Sequence, residues 1–206
     1  MPVLLYSPGA CSLAPHIVLE WVGQPYEARR VKIGSPELFQ VNPAGSVPVL
    51  IEDDGWVLTQ AGAIIQHLAR RHPQAGLGAP DTARGQAELD RWSAFFTGDV
   101  HPSFYPIFMA DRYTVDTSEE ALEAVRQAGL KLVRRRFKIL NDHLADKPFI
   151  LGPRRSVVDA YAFPMIRWAS AKLPEGLDAY PNVVALHDRI AEDAAVQKVL
   201  AEEDAA

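Results

Sequence analysis

The chain holds a single cysteine, Cys11, inside the stretch "SPGACSLAPHIVLEW" from Ser7 to Trp21. Leu13, Ile17, Val18 and Trp21 recur at helical spacing, and Gly23 is placed to stop the turn. This predicts a helix that begins just after Gly9. Cys11 then lies at the helix N-terminus, where unpaired N–H groups and the positive end of the dipole favour an anion. Such a position can lower a thiol from its usual pKa of about 8.5 by one to several units. Three roles follow for Cys11: an inert buried residue, the usual fate of a free cysteine; a nucleophile; or a donor, through N–H and S–H, to a thiolate that another molecule brings. As a nucleophile it lacks a resolving partner, because "CSLA" is not a C-x-x-C motif, and a mixed disulfide would need an external thiol. His16 lies five residues further on and is expected to face elsewhere.

The elements around Cys11 must position it. "VLLY" reads as a buried strand feeding the helix, "YEARRVKI" as a short strand, and "VPVLIEDDGWVL" as two strands about an Asp54-Gly55 turn. Ala61, Ile64, Ile65, Leu68 and Ala69 form one helical face, with Thr59 as its expected cap. The order is β-α-β, a variable stretch, then β-β-α. "HPQAGLGAPDTA" breaks both periods and reads as a linker. Beyond it no strand is expected, because Leu89, Trp92, Phe96, Val100 and later Leu122, Val125, Leu132, Val133, Leu140 and Leu144 fall at helical intervals. Arg134, Arg135 and Arg136 are expected on a solvated helix face, and the acidic tail "AEEDAA" is expected to fray.

With 206 residues and 48% hydrophobic content, the chain can fill a proper core. No apolar run is long enough to span a membrane, and "MPVLLYSPG" lacks the basic start of a signal peptide, so a cytoplasmic location is expected. A lone cysteine excludes an internal disulfide framework and a cysteine zinc cluster, and no metal is expected. The net charge of -5 argues against broad capture of nucleic acid or anionic membrane, which leaves small molecules and proteins as partners.

Five segments in fixed order resemble the cytosolic glutathione transferases, most closely the bacterial beta class: "YSPGACSLAPHIVL", "VNPAGSVPVL" (41–50), "LTQAGAIIQHLA" (58–69), "DVHPSFYP" (99–106) and "SVVDAYAF" (156–163). The resemblance covers nearly the whole chain. It implies an α/β plus all-α fold: a thioredoxin-like N-terminal domain with a mixed sheet in residues 1–74, a linker in 75–83 and an all-helical domain in 84–206.

The resemblance also assigns expected roles. The Val47-Pro48 bond is expected to be cis, which exposes the Val47 N–H and C=O to the cysteinyl part of glutathione as a strand would be exposed. The helix that opens with Gln60 and Ala61 is expected to receive the γ-glutamyl carboxylate. Asp99 is expected to meet the glutathione amine across a dimer interface, and His101 to sit beside the reactive thiol. Ser156 and Asp159 form a capping box, after which Pro164 is expected to kink or interrupt the helix. Tyr6 is expected to pack rather than react, and Ser12 is a weaker alternative site. Phe104, Tyr105, Phe108, Tyr113 and Trp168 are candidates for an apolar pocket. The sequence departs from the family pattern at Ala61, which lacks the usual hydroxyl, and at Pro102, which replaces a lysine. The segment before Pro43 is also shorter, so weaker glutathione recognition is expected.

The implied activity is glutathione transfer: a homodimer uses glutathione as co-substrate and presents its thiolate to an apolar electrophile. Two other readings remain open. One is a glutaredoxin-like thiol transferase using Cys11, or a specialised isomerase or dehalogenase; the other is a non-catalytic ligand-binding module.

Overall fold

A computed structural model describes residues 1–205. Strand β1 (Val3–Tyr6) leads into helix α1 (Leu13–Val22), which returns the chain to β2 (Glu27–Arg30), parallel to β1. Helix α2 (Pro36–Val41) precedes a hairpin of β3 (Val49–Ile51) and β4 (Val57–Thr59), and α3 (Ala61–Arg71) closes this part. The sheet order is β2-β1-β3-β4, with both pairings made by β3 antiparallel. Alternation along the strands explains why helices cover both faces. Leu4 and Leu50, paired in register, point into the main core with α1 and α3, whereas Leu5 and Val49 point to Leu38 of α2 on the opposite face.

Helix α1 ends as its sequence predicts: Gly23, at φ 71°, donates its N–H to the carbonyls of Leu19 and Glu20. Its start differs. The first helical residue is Leu13 with Ser12 as N-cap, so Cys11 sits in the preceding turn. Helix α3 also starts differently, because Thr59 is still paired with Val49 in the sheet and Gln60 is the N-cap, at φ 72°. The connection to the helical part contains a 3-10 turn (Pro73–Ala75) and buried Leu77, whose carbonyl accepts the Val157 N–H.

The remainder is helical: α4 (Ala83–Ala94), a π-helical turn (Phe95–Val100), α5 (His101–Phe108), a 3-10 turn (Ala110–Arg112), α6 (Glu119–His143), α7 (Val157–Lys172), α8 (Pro181–Ala191) and α9 (Ala194–Ala205). No described helix is long and apolar enough to cross a membrane. Ser156 and Asp159 make the expected capping box at the start of α7. Asp159, fully buried, also accepts the Ile150 N–H at 2.9 Å, and burial raises its carboxyl to about 6.

Three expectations are corrected here. Helix α7 is not interrupted at Pro164 but runs on through it, since a helix buried on nearly every face is held by its neighbours despite losing a ladder hydrogen bond. The tail does not fray up to Ala205, because Glu203 is buried against α1, where its carboxylate accepts from Gly9 N–H and bonds the fully buried His16 at 3.1 Å. Ala206 lies outside the described residues. Of the three arginines on α6, Arg136 is partly buried and ion-paired to Asp99 at 3.0 Å, so that face is not simply solvated.

Candidate functional site

A cleft of about 880 Å³ lies between the sheet domain and the helices, and it is lined by Cys11, Val47, Pro48, Gln60 and Ala61 on one wall. Its other wall carries His101, Tyr105, Phe108, Tyr113, Tyr161 and Trp168. The volume suits a small organic ligand.

The loop carrying Cys11 is tied from both sides. Ser12 Oγ accepts the Ser7 N–H and donates to the Ser7 carbonyl, both at 3.1 Å. Gly9 donates to Glu203 while its carbonyl accepts Trp168 Nε1–H at 2.8 Å. Cys11 Sγ donates to the Val47 carbonyl at 3.5 Å. The thiol is not acidified as expected: burial pushes it up to about 12, outweighing a backbone hydrogen bond that pulls it down. The physical reason is position. Cys11 sits in the turn before the helix cap and packs against the apolar core, and desolvation there outweighs the pull of the backbone and of the helix end.

The Val47-Pro48 bond is cis, as expected. The loop before it is fixed by Asn42, whose Nδ2 donates to the Ser46 carbonyl at 2.7 Å and whose Oδ1 accepts the Ala44 N–H at 3.1 Å. Gly45, at φ 59°, has the Phe39 ring against it, and a Cβ there would meet the ring at 2.5 Å. Across the loop, Ala61 is buried at the N-terminus of α3, while the Gln60 side chain is exposed and makes no cap hydrogen bond.

On the helical wall, His101 Nδ1 lies 3.0 Å from Tyr161 Oη, and its ring packs against Tyr105 and Trp168 with centroids 5.0 and 5.2 Å away. Burial lowers His101 to about 4, so the ring is neutral at pH 7, and burial raises Tyr161 well above an ordinary phenol. Tyr105, Phe108, Tyr113 and Trp168 line the cleft, whereas Phe104 is fully buried behind Phe108 as core.

The structure therefore gathers Cys11, Val47, Pro48, Gln60, Ala61 and His101 in one cleft and leaves Asp99 off its lining, on Arg136. Tyr6 packs on His16 with centroids 5.0 Å apart, and Ser12 is occupied by Ser7. Sequence reasoning passed over Tyr161, which lies inside the quoted "DAYAF" but was read only as part of a folding motif; Phe39, Thr97 and Arg112 also line the cleft and carry no motif at all. A phenol on the same helix as a capping box was the available signal for Tyr161.

Family models for the glutathione S-transferase N-terminal and C-terminal domains match residues 12–76 and 101–194. A glutathione S-transferase of Xanthomonas campestris pv. campestris is 39% identical over 202 residues, covering 96% of each chain. The chain belongs to the glutathione S-transferase family. Solved relatives agree with that membership. A sphingomonad glutathione S-transferase complexed with glutathione superposes with a TM-score of 0.86 at 32% identity, covering 99% of this chain and 100% of that one. A bacterial beta-class glutathione S-transferase of Sphingomonas chungbukensis superposes at 0.86 and 33% identity, covering 98% of each. Within this family the four-stranded mixed sheet is the thioredoxin-like domain, and the helices after it form the C-terminal domain.

Proposed function

We propose that this chain is a glutathione transferase that binds glutathione on the sheet side of the cleft and delivers its thiolate to an apolar electrophile on the aromatic side. The observation that carries the reading is the junction: Cys11, the Val47 backbone and the N-terminus of α3 share one cleft with His101 and an aromatic wall. Residues 1–74 supply the glutathione wall and 84–206 the electrophile wall, with 75–83 as the linker. The family membership further supports a homodimeric, cytoplasmic enzyme of detoxifying conjugation.

The Val47 main chain pairs with the cysteinyl portion of glutathione, and the Ala61 N–H and Gln60 side chain receive the γ-glutamyl carboxylate. Asp99, half-exposed, outside its own cleft and paired through Oδ1 with Arg136, offers its other carboxylate oxygen to the amine of glutathione bound in a second subunit. The thiol of glutathione lies between Cys11 and His101. Because Cys11 keeps its proton at neutral pH, it can turn its S–H from the Val47 carbonyl to the incoming sulfur anion. Tyr161 is hydrogen-bonded to His101 Nδ1; with the phenol taken as the donor, the imidazole proton is on Nε2, which then serves as a second donor. Lowering the thiol of glutathione from about 9 to about 7 would raise its anionic fraction at pH 7 roughly fiftyfold, or about 2.7 kcal/mol.

The upward shift of the Cys11 thiol by burial, together with the absence of a second cysteine to resolve a mixed disulfide, favours the donor role over the thiol-transferase reading. Calorimetric titration with glutathione and conjugation of chlorodinitrobenzene test the proposal together. The Cys11→Ala variant retains conjugation if Cys11 is a donor, and a complete loss of conjugation on that substitution would favour covalent chemistry instead.

A further inference from the structure

We propose that the electrophile taken by this cleft is a planar aromatic carboxylate, held by Arg112 at the mouth of the aromatic wall; this rests on the transferase reading and names its substrate class. Among the described residues lining the cleft, Arg112 is the one charged side chain. It ends the 3-10 turn Ala110–Arg112 that follows α5, its side chain is exposed, and it belongs to none of the ion pairs among the described residues. A second cation stands at the same rim: Lys172 Nζ lies 5.7 Å from the Phe108 ring centroid and is likewise outside those ion pairs.

Position separates Arg112 from the expected glutathione carboxylate site. Thr97 abuts α3 beside Gly62, with its Cγ2 2.6 Å from where a Cβ on Gly62 would stand. Phe108 follows Thr97 by eleven residues, through the π-helical turn and α5, and Arg112 comes in the turn after α5 ends. The cation thus stands with Phe108, Met109 and Tyr113 on the helical wall of the cleft, whereas Gln60 and Ala61 stand on the sheet wall. Flat π-faces suit an arene, and a guanidinium fork suits a carboxylate bidentately. The guanidinium is exposed at the mouth, so the attraction is screened by solvent and salt.

In the reaction, glutathione thiol loses its proton to solvent, sulfur forms a bond to the ring carbon, and the halide leaves with the electron pair of the carbon–halogen bond. The carboxylate takes no part and serves only as the handle.

The test compares chlorodinitrobenzoate with its neutral methyl ester as co-substrates of the full chain, in wild type and Arg112→Met, with the KM for glutathione measured alongside. The wild type is expected to favour the acid over the ester in kcat/KM by about tenfold, the low end for a charge-assisted hydrogen bond at an exposed arginine. Arg112→Met is expected to bring that ratio near one, and the wild-type preference is expected to shrink as salt is raised. Equal use of acid and ester by the wild type, or a ratio unchanged in the variant, overturns this inference and leaves the transferase reading standing. A variant that raises the KM for glutathione with the ratio unchanged also overturns it, since Arg112 would then hold glutathione itself. Conjugation of neither substrate, with no glutathione bound, overturns the transferase reading and this inference with it.

Discussion

Gln60 is the one described non-glycine residue with positive φ, at 72°, and its side chain is exposed and caps nothing. A side chain held in such a region costs about 1–3 kcal/mol. Gln60→Gly removes that strain but adds chain entropy to the unfolded state worth about 0.5–1 kcal/mol. The variant should therefore be more stable by about 1 kcal/mol, which for a chain of this size raises Tm by about 2–4 °C. The same change deletes the proposed amide contact to the γ-glutamyl carboxylate. A hydrogen bond to a charged group is worth about 1.5–3 kcal/mol, and exposure places this one at the low end, so KM for glutathione should rise about tenfold. Because that contact is made equally in ground and transition states, kcat should stay within about twofold. Thermal unfolding and steady-state kinetics with glutathione varied supply both numbers. A variant no more stable than wild type would refute the strain argument, and an unchanged KM would refute the role of the side chain.

Cys11 is the sole thiol, so alkylation of the whole protein reports on it alone; its rate should climb about tenfold per pH unit from pH 6 to 9, and a plateau below pH 9 would contradict a pKa near 12. His101, held near 4 when folded, gains a proton on unfolding at any pH between about 4 and 6.5. Its contribution to stability is present above about 6.5 and is lost as pH falls toward 4, so His101→Gln should flatten the acid slope of stability measured by denaturant unfolding; an unchanged slope would count against it. Glu203→Ala leaves His16 Nδ1 and the Gly9 N–H without their partner, although Glu202 still stands 3.5 Å from His16 Nε2, and should cost about 3 kcal/mol in the same assay, whereas a loss under about 0.5 kcal/mol would mean that the tail does not brace the loop.

Local pattern made much of this fold readable. The buried strand "VLLY", the Asp54-Gly55 turn and the Gly23 stop each act through neighbours in the chain, and all three are where the sequence places them. The misreadings share a different cause. Glu203 is ordered by His16, 187 residues away, and no composition rule for an acidic tail contains that contact. Pro164 stays helical because surrounding helices bury it, and Thr59 remains in the sheet because Val49 holds it. At the site, the segments that resemble the family located the residues, but their electrostatics came from burial. A place near a helix start favours an acidic Cys11, one of the roles the sequence leaves open, and desolvation works the other way. Tyr161 and Arg112 reach the cleft only through the packing of α7 against α5 and through the turn after Phe108.

The central claim, that this cleft binds glutathione and stabilises its thiolate beside Cys11, is tested most directly by titrating the ultraviolet absorbance of the thiolate in the binary complex against pH. The account predicts a thiol pKa about two units below the value of about 9 in free solution, and a rise of about one unit in the Cys11→Ala variant as one donor is lost. A bound thiol that titrates as it does in water, or no glutathione-dependent signal at millimolar concentration, would contradict it.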